Sequence, residues 1–244
     1  MIQTQVSCPQ TPTKTMDSKT LSISESIPNR IPVVGIVGGI GSGKSEVARW
    51  VARHANVIVI DADQVGHQVL KWQNVKDALR QRFGPGIFDT SGEIQRGALA
   101  RQVFGNGDGQ QSARHDLERI VHPAIEQQIV DLIAAAVDDG RQAVLLDAAV
   151  LLEAGWQRRC DAVIFIDAPD AVRQRRVAAR SGWSLEELQR RESSQLPLAE
   201  KKRLSNLVIS NSSDDSQGGQ QLLDFLLRNW GICCKPLSNS SQQS

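Results

Sequence analysis

Gly38-Gly39-Ile40-Gly41-Ser42-Gly43-Lys44-Ser45 is the stretch from which the fold of this chain follows. It fits the pattern G-x-x-x-x-G-K-[ST], with an apolar run at 33–37 before it and a helix-like stretch at 45–54 after it. Strand, glycine-rich loop and helix in that order are what a phosphate cradle requires. Glycines let the loop turn tightly, so backbone N–H groups point at phosphate oxygens with no Cβ in the way. The following helix presents its N-terminal dipole to the same anion. Gly39, Ile40, Gly41, Ser42 and Gly43 then line the binding surface for a nucleoside triphosphate. Lys44 reaches the outer phosphates, and the Ser45 hydroxyl is placed to ligate Mg²⁺. A glycine-rich turn that merely packs is the plainer alternative, disfavoured by the strand before and the helix after.

Working outward, short apolar runs alternate with helical stretches, the signature of a parallel sheet with crossover helices. The expected strands are 33–37, 57–60, 143–146, 162–166 and 207–209, each a continuous run suited to burial on both faces. The expected helices are 44–54, 62–69, 74–83, 98–104, 111–137, 171–180, 185–195 and 220–230. The fold class is thus α/β, with ligands gathering at the carboxyl ends of the strands. Residues 1–30, rich in Ser, Thr, Gln and Pro, read as a disordered extension, and 235–244 as a flexible tail.

With 244 residues and 40% hydrophobic content, the chain can bury one large α/β core with an appended lobe. The 28 basic and 27 acidic residues leave a net charge of +1, so no global field draws nucleic acid or a membrane surface. No apolar stretch approaches the roughly 20 residues that span a bilayer. The amino-terminal segment lacks a secretory apolar core and the arginines of a mitochondrial leader. Cys8, Cys160, Cys233 and Cys234 show no metal-ligand spacing, which fits a reducing cytoplasm better than a disulfide framework.

Two carboxylates, Asp61 and Asp63, follow the run 57–60. An aspartate ending a strand that neighbours the phosphate loop faces the γ-phosphate, where it accepts or orients the proton of an acceptor hydroxyl. Asp147 ends the run 144–146 and suits a second Mg²⁺ element. The plainer role for either is a helix N-cap. Arginines crowd 173–191, and Arg176 and Arg180, four apart, share one helix face. Guanidinium forks match the charge that phosphoryl transfer spreads over equatorial oxygens, although an exposed, solvated helix carries the same composition. Gly182 is positioned to act as a hinge. His122-Pro123 reads first as a packed histidine at a helix break, and Phe83, Phe88 and Phe104 as core.

The phosphate loop, Asp61-Ala62-Asp63 after a 15-residue spacer, and the distance to Asp147 together resemble dephospho-coenzyme A kinases. The resemblance runs from about residue 33 to about residue 227. It continues through Phe83-Gly84, Arg96 with Leu99 and Phe104, Leu117-Glu118, His122-Pro123, Leu151-Leu152-Glu153, Arg176 and Arg180, and Gln195 and Asn211. It implies a P-loop core of five parallel strands with helices on both faces, a helical acceptor lobe around 64–140 and a lid around 173–204, within a domain at 31–234. It implies transfer of the ATP γ-phosphoryl to the ribose 3′-hydroxyl of dephospho-coenzyme A, with Mg²⁺ as cofactor and a monomer or weak homo-oligomer. Carried onto these residues, Asp61 is the base and also touches the acceptor. Lys44 and Ser45 hold phosphates and metal, Asp147 joins the metal site, Arg176 or Arg180 closes over the phosphates, and Arg96 and His122 bind acceptor.

Four places depart from the family pattern: Val37 and Glu46 where threonine is common, Arg173 for glutamine, and Ser205-Asn206 for Ala-Asp. The competing readings are a related kinase acting on a nucleoside or nucleotide, a nucleotide-binding module without catalysis, and a GTP switch. The last draws only on Asp89-Thr90-Ser91-Gly92, which follows a turn rather than a strand, with no N-K-x-D element downstream.

Overall fold

The computed structural model describes residues 30–103, 107–213, 216–232 and 234–235. The extension at 1–29 and most of the tail, with Cys8, Phe104 and Cys233, lie outside the described residues. The chain runs β1 (Val33–Gly38), α1 (Lys44–His54), β2 (Val57–Asp61), α2 (Ala62–Val69), α3 (Gln73–Phe83), α4 (Arg96–Val103) and α5 (Asp108–Asp138). It continues through β3 (Ala143–Asp147), β4 (Ala162–Asp167), α6 (Asp170–Ser181), α7 (Leu185–Glu192), α8 (Leu198–Arg203), β5 (Leu207–Ser210) and α9 (Gln217–Trp230). All five expected strands form, and the sheet is parallel throughout, in the order β2-β3-β1-β4-β5.

Successive side chains of a strand leave on opposite faces, so the continuous apolar runs feed two cores. On one face Val34, Ile36, Leu145, Ile164 and Ile166 pack with Val47 and Val51 of α1 and Leu222, Leu223 and Leu226 of α9. On the other, Val33, Val37, Leu146, Val163 and Phe165 pack with Val65, Leu79, Ile125 and Ile129 from the helices between β2 and β3. Each such side chain is worth about 1.5–3 kcal/mol when fully buried. β1 and β3 are buried along their whole length, whereas β2 and β5 are the sheet edges and are only partly covered. The expectation of two-sided burial therefore fails at these two strands, and Val208 is exposed.

α5 passes straight through Pro123 rather than breaking there. Pro123 and Arg119 are both exposed, so the proline lies on the solvent side of the helix, where the lost hydrogen bond costs least. By length and composition alone Gly109–Asp138 is long and apolar enough to cross a membrane, contrary to the sequence expectation. Its stripe Val121, Ile125 and Ile129 packs into the core while Glu126, Gln127 and Asp131 interrupt the other side, the pattern of a core-facing helix. The Ser205-Asn206 departure is absorbed locally: the Asn206 side-chain oxygen accepts from Val163 N (2.7 Å), and Asn206 N donates to Val163 O (2.7 Å).

Candidate active site

β1 delivers the chain to the carboxyl edge of the sheet, and 39–43 wrap back to start α1 with Gly43 in the left-handed region (φ 86°, ψ 19°). Only glycine fits here, for reasons beyond φ. A Cβ on Gly41 would stand 2.6 Å from the Arg173 carbonyl oxygen, and one on Gly43 would collide with the Asn211 amide nitrogen. The cradle is thus braced from behind. Asn211, just past β5 and buried, donates from Nδ2 to Ser42 O at 2.7 Å. Arg173, also buried, donates to Ile40 O at 3.2 Å and is held by Asp170 at 2.8 Å and by Glu192. This gives the Arg173 departure a structural role.

Lys44 folds over the loop, its Nζ donating to Gly38 O and Gly39 O, both at 3.3 Å. Burial above all holds its pKa below the usual lysine value, with Lys201 and Arg180 adding to that and Asp147 and Asp63 opposing it. An ammonium that has lost water and keeps two neutral carbonyls is a ready partner for a phosphate.

Two carboxylates face this loop from the next strands. Asp147 is 6% exposed, and the Ser45 hydroxyl donates to its Oδ2. Burial raises its pKa most strongly; Ser45 and Lys44 oppose the rise, while Asp61 and Asp63 add to it. Asp61 pairs in register with Asp147, which in turn pairs with Ile36 of β1. The sequence leads one to expect the Asp61 strand beside the loop strand. Instead β3 lies between them, because the crossover from β1 to β2 skips one place. The carboxylates still share one edge. Asp61 Oδ1 caps α2, accepting from Asp63 N at 3.0 Å and Gln64 N at 3.1 Å. Its Oδ2 takes no hydrogen bond among the described residues, so cap and base are compatible. The hydroxyl of Ser45 and the carboxylate of Asp147 are the hard oxygen donors that Mg²⁺ accepts. Among the described residues no cluster of three or more His, Cys, Asp or Glu forms a metal cage, so the ion would need phosphate oxygens as well.

The two arginines expected to close over the phosphates differ. Arg176 is half-buried at the flank of the loop, donating to Asn211 O (3.1 Å), Ser42 O (3.4 Å) and Ser213 O (2.9 Å). Arg180 is exposed, without an ion pair among the described residues, and is near enough to Lys44 to be felt there. One residue in this neighbourhood is invisible to sequence reasoning. Lys201, in the basic run 201–203, is fully buried and joined to Glu153. Composition offers no mark that separates it from its exposed neighbours Lys202 and Arg203.

The acceptor candidates are more dispersed. Arg96 opens α4 and is exposed, while His122 sits half-buried on α5, edge-on to Trp156 at 5.5 Å between ring centroids. Burial lowers the His122 pKa, Glu118 opposes this, and Arg114 adds to it. No hydrogen bond or ion pair joins Arg96 to His122 or Asp61 among the described residues. Phe83 and Phe88 belong to the core, as expected. Asp89 Oδ1 accepts from Ser91 N (2.9 Å), Ser91 Oγ (2.6 Å) and Glu93 N (2.9 Å), closing a turn; the D-x-x-G match is local structure.

Known proteins share the sequence pattern and the fold. A family model described as dephospho-CoA kinase matches residues 32–217. A dephospho-CoA kinase of Geobacillus kaustophilus is 38% identical over 200 residues, covering 81% of this chain and 96% of the relative. That of Deinococcus radiodurans is 37% identical over 210 residues, covering 86% and 97%. A crystal structure of a Thermus thermophilus protein superimposes with a TM-score of 0.68 at 30% identity, over 82% of this chain and 98% of that one. The dephospho-CoA kinase from Campylobacter jejuni shares the fold, with a TM-score of 0.57 at 21% identity over 82% and 97%.

Proposed function

This chain belongs to the dephospho-CoA kinase family, and from that premise we propose how its residues divide the work of the reaction. The enzyme moves the γ-phosphoryl group of ATP to the ribose 3′-hydroxyl of dephospho-coenzyme A, giving coenzyme A and ADP in the last step of coenzyme A synthesis. The observation that carries the residue assignment is the pairing of Asp61 with Asp147 at the strand ends facing the loop, with one Asp61 oxygen uncommitted.

The backbone amides of 39–43 bind the ATP phosphates, and Lys44 follows the charge that moves to the bridging oxygen. Asp61 Oδ2 accepts the proton of the 3′-hydroxyl as that oxygen attacks in line, while Oδ1 keeps the carboxylate oriented through its cap bonds. Ser45 and Asp147 are the residues that would hold Mg²⁺, which when bound neutralises charge between the β- and γ-phosphates. Arg180 closes from the lid at 173–204 over the phosphates, and Arg176 steadies the loop flank where the nucleotide lies. Arg96 and His122 serve the acceptor lobe at 64–140. The reading extends to a cytoplasmic enzyme, a monomer or weak homo-oligomer, that engages neither nucleic acid nor membrane.

Incubation with ATP, Mg²⁺ and dephospho-coenzyme A, followed by mass detection, tests the function directly. Coenzyme A and ADP are expected in equal amounts. ADP release with nucleosides or nucleoside monophosphates at the same efficiency would overturn the acceptor assignment.

A further inference from the structure

Lys201 is the one lysine among the described residues that is completely buried, with 0% exposure. An ammonium is kept in such a place only if its donors are matched. Here Nζ donates to Ala149 O at 2.7 Å and to Gln195 Oε1 at 3.0 Å, and is ion-paired with Glu153 Oε1 at 2.8 Å. These three partners come from two separate parts of the chain. Ala149 and Glu153 lie in the turn that leaves β3, and Ala149 is two residues beyond Asp147. Gln195 lies in the link from α7 to α8, at the base of the lid. Glu153 Oε1 ties the same two parts a second time, accepting from Leu196 N at 2.9 Å. From the acceptor side, Arg114 of α5 donates to Ser194 O at 3.1 Å, next to this junction. The junction also touches the site electrostatically, since the Lys201 charge is felt at Lys44.

We propose that Lys201 is a positioning residue for phosphoryl transfer, clamping the turn after Asp147 to the base of the lid. This deepens the kinase reading and rests on it. Among the described residues Lys201 donates no hydrogen bond to the loop that binds nucleotide, so beyond its charge at Lys44 its effect passes through what it holds. The Ala149 bond fixes the backbone that aims the Asp147 carboxylate at Ser45. The Gln195 and Glu153 bonds fix the anchor from which the lid carries Arg180 towards the phosphates. A clamp of this kind governs how well the transition state is aligned, and governs ATP binding little.

Lys201→Met removes the two hydrogen bonds and the ion pair at nearly constant volume, but it leaves the partly covered Glu153 carboxylate without its cation and a buried apolar end facing the Ala149 and Gln195 oxygens, which lowers stability. The double variant Lys201→Met/Glu153→Gln removes that stranded charge and is the second test. In both, kcat should fall about 10-fold or more, the usual scale for losing a residue that orients an active-site ligand, while ATP affinity stays at the wild-type value. In the ligand-free variants, amide hydrogen exchange at 149–154 and 194–197 should accelerate, which reads the clamp independently of turnover. The double variant should regain melting temperature relative to the single one without regaining kcat. Wild-type kcat in either variant, a kcat that returns together with the melting temperature, or unaltered exchange at both segments would overturn the proposal. Failure of the kinase reading would look different: the wild-type protein would form no coenzyme A, while the exchange comparison would still decide whether the clamp exists.

Discussion

Gly43→Ala puts one methyl group where the structure leaves no space for it. Gly43 is the N-cap of α1 at φ 86°, a left-handed conformation that costs a residue with a Cβ about 1–2 kcal/mol. The methyl would also meet Asn211 Nδ2, whose bond to Ser42 O is buried. Driving that amide away leaves the Ser42 carbonyl with only the 3.4 Å contact from Arg176, a loss of about 1–3 kcal/mol for a poorly satisfied buried group. The two effects together come to about 2–5 kcal/mol. For a chain of this size each kcal/mol lowers Tm by about 2–4 °C, so a drop of roughly 4–20 °C is expected. Because the displaced groups brace the cradle, the rise in Tm that ATP produces should shrink as well. Gly231→Ala is the control. Gly231 caps α9 at φ 68°, and a methyl group there would meet nothing within 4 Å, so it suffers the backbone cost alone. It should lose only a few degrees and keep the full ATP response. Thermal melts of both variants with and without ATP make the comparison. A Gly43→Ala protein that melts like Gly231→Ala and responds to ATP like wild type would refute the bracing role of Asn211.

Three further outcomes follow from the same geometry. Asp61→Asn keeps an N-cap of equal quality for α2, so Tm and ATP affinity should hold while kcat falls about 10²-fold or more; parallel losses of ATP affinity and rate would make Asp61 a metal or structural residue instead. Lys44→Met removes an ammonium whose burial opposes its charge, so the ligand-free protein should melt no lower than wild type while ATP ceases to raise its Tm and turnover collapses; retained turnover would contradict the site. Burial depresses the His122 pKa below the ordinary 6.5, so its contribution to stability is present above that value and is lost as pH falls through 6.5 towards the lowered folded value. Glu118 limits that loss and Arg114 deepens it. Wild-type Tm should therefore decline more steeply than that of His122→Gln from about pH 7 downwards, and parallel slopes for the two proteins would show that His122 is not desolvated.

The loop from Gly38 to Ser45 was legible because its constraints are local. Glycine is demanded where φ is positive or a neighbouring chain segment comes close, and both demands leave a mark in the sequence. The five strands were legible from their apolar runs for a similar reason. Their order was not, since a continuous run carries no record of which strand lies beside it; this is why the sequence sets Asp61 next to the loop strand when Asp147 intervenes. Pro123 suggests a helix break although the apolar pattern at 111–137 runs through it, and the pattern wins because the proline lies on the exposed side of the helix. Asn211 and Lys201 show the limit most sharply. Asn211 stands out in the sequence only through the family resemblance, which gives it no role, and Lys201, a lysine in a basic run, does not stand out at all. What separates them from surface residues is a set of partners 169 positions away for Asn211 and Ser42, and 52 positions away for Lys201 and Ala149. The residues proposed to touch phosphate carry a pattern that can be read along the chain, whereas the partners that brace them become visible only once distant segments are brought together. Activity depends on both, because a cradle of main-chain amides has no rigidity of its own and takes its shape from whatever packs behind it.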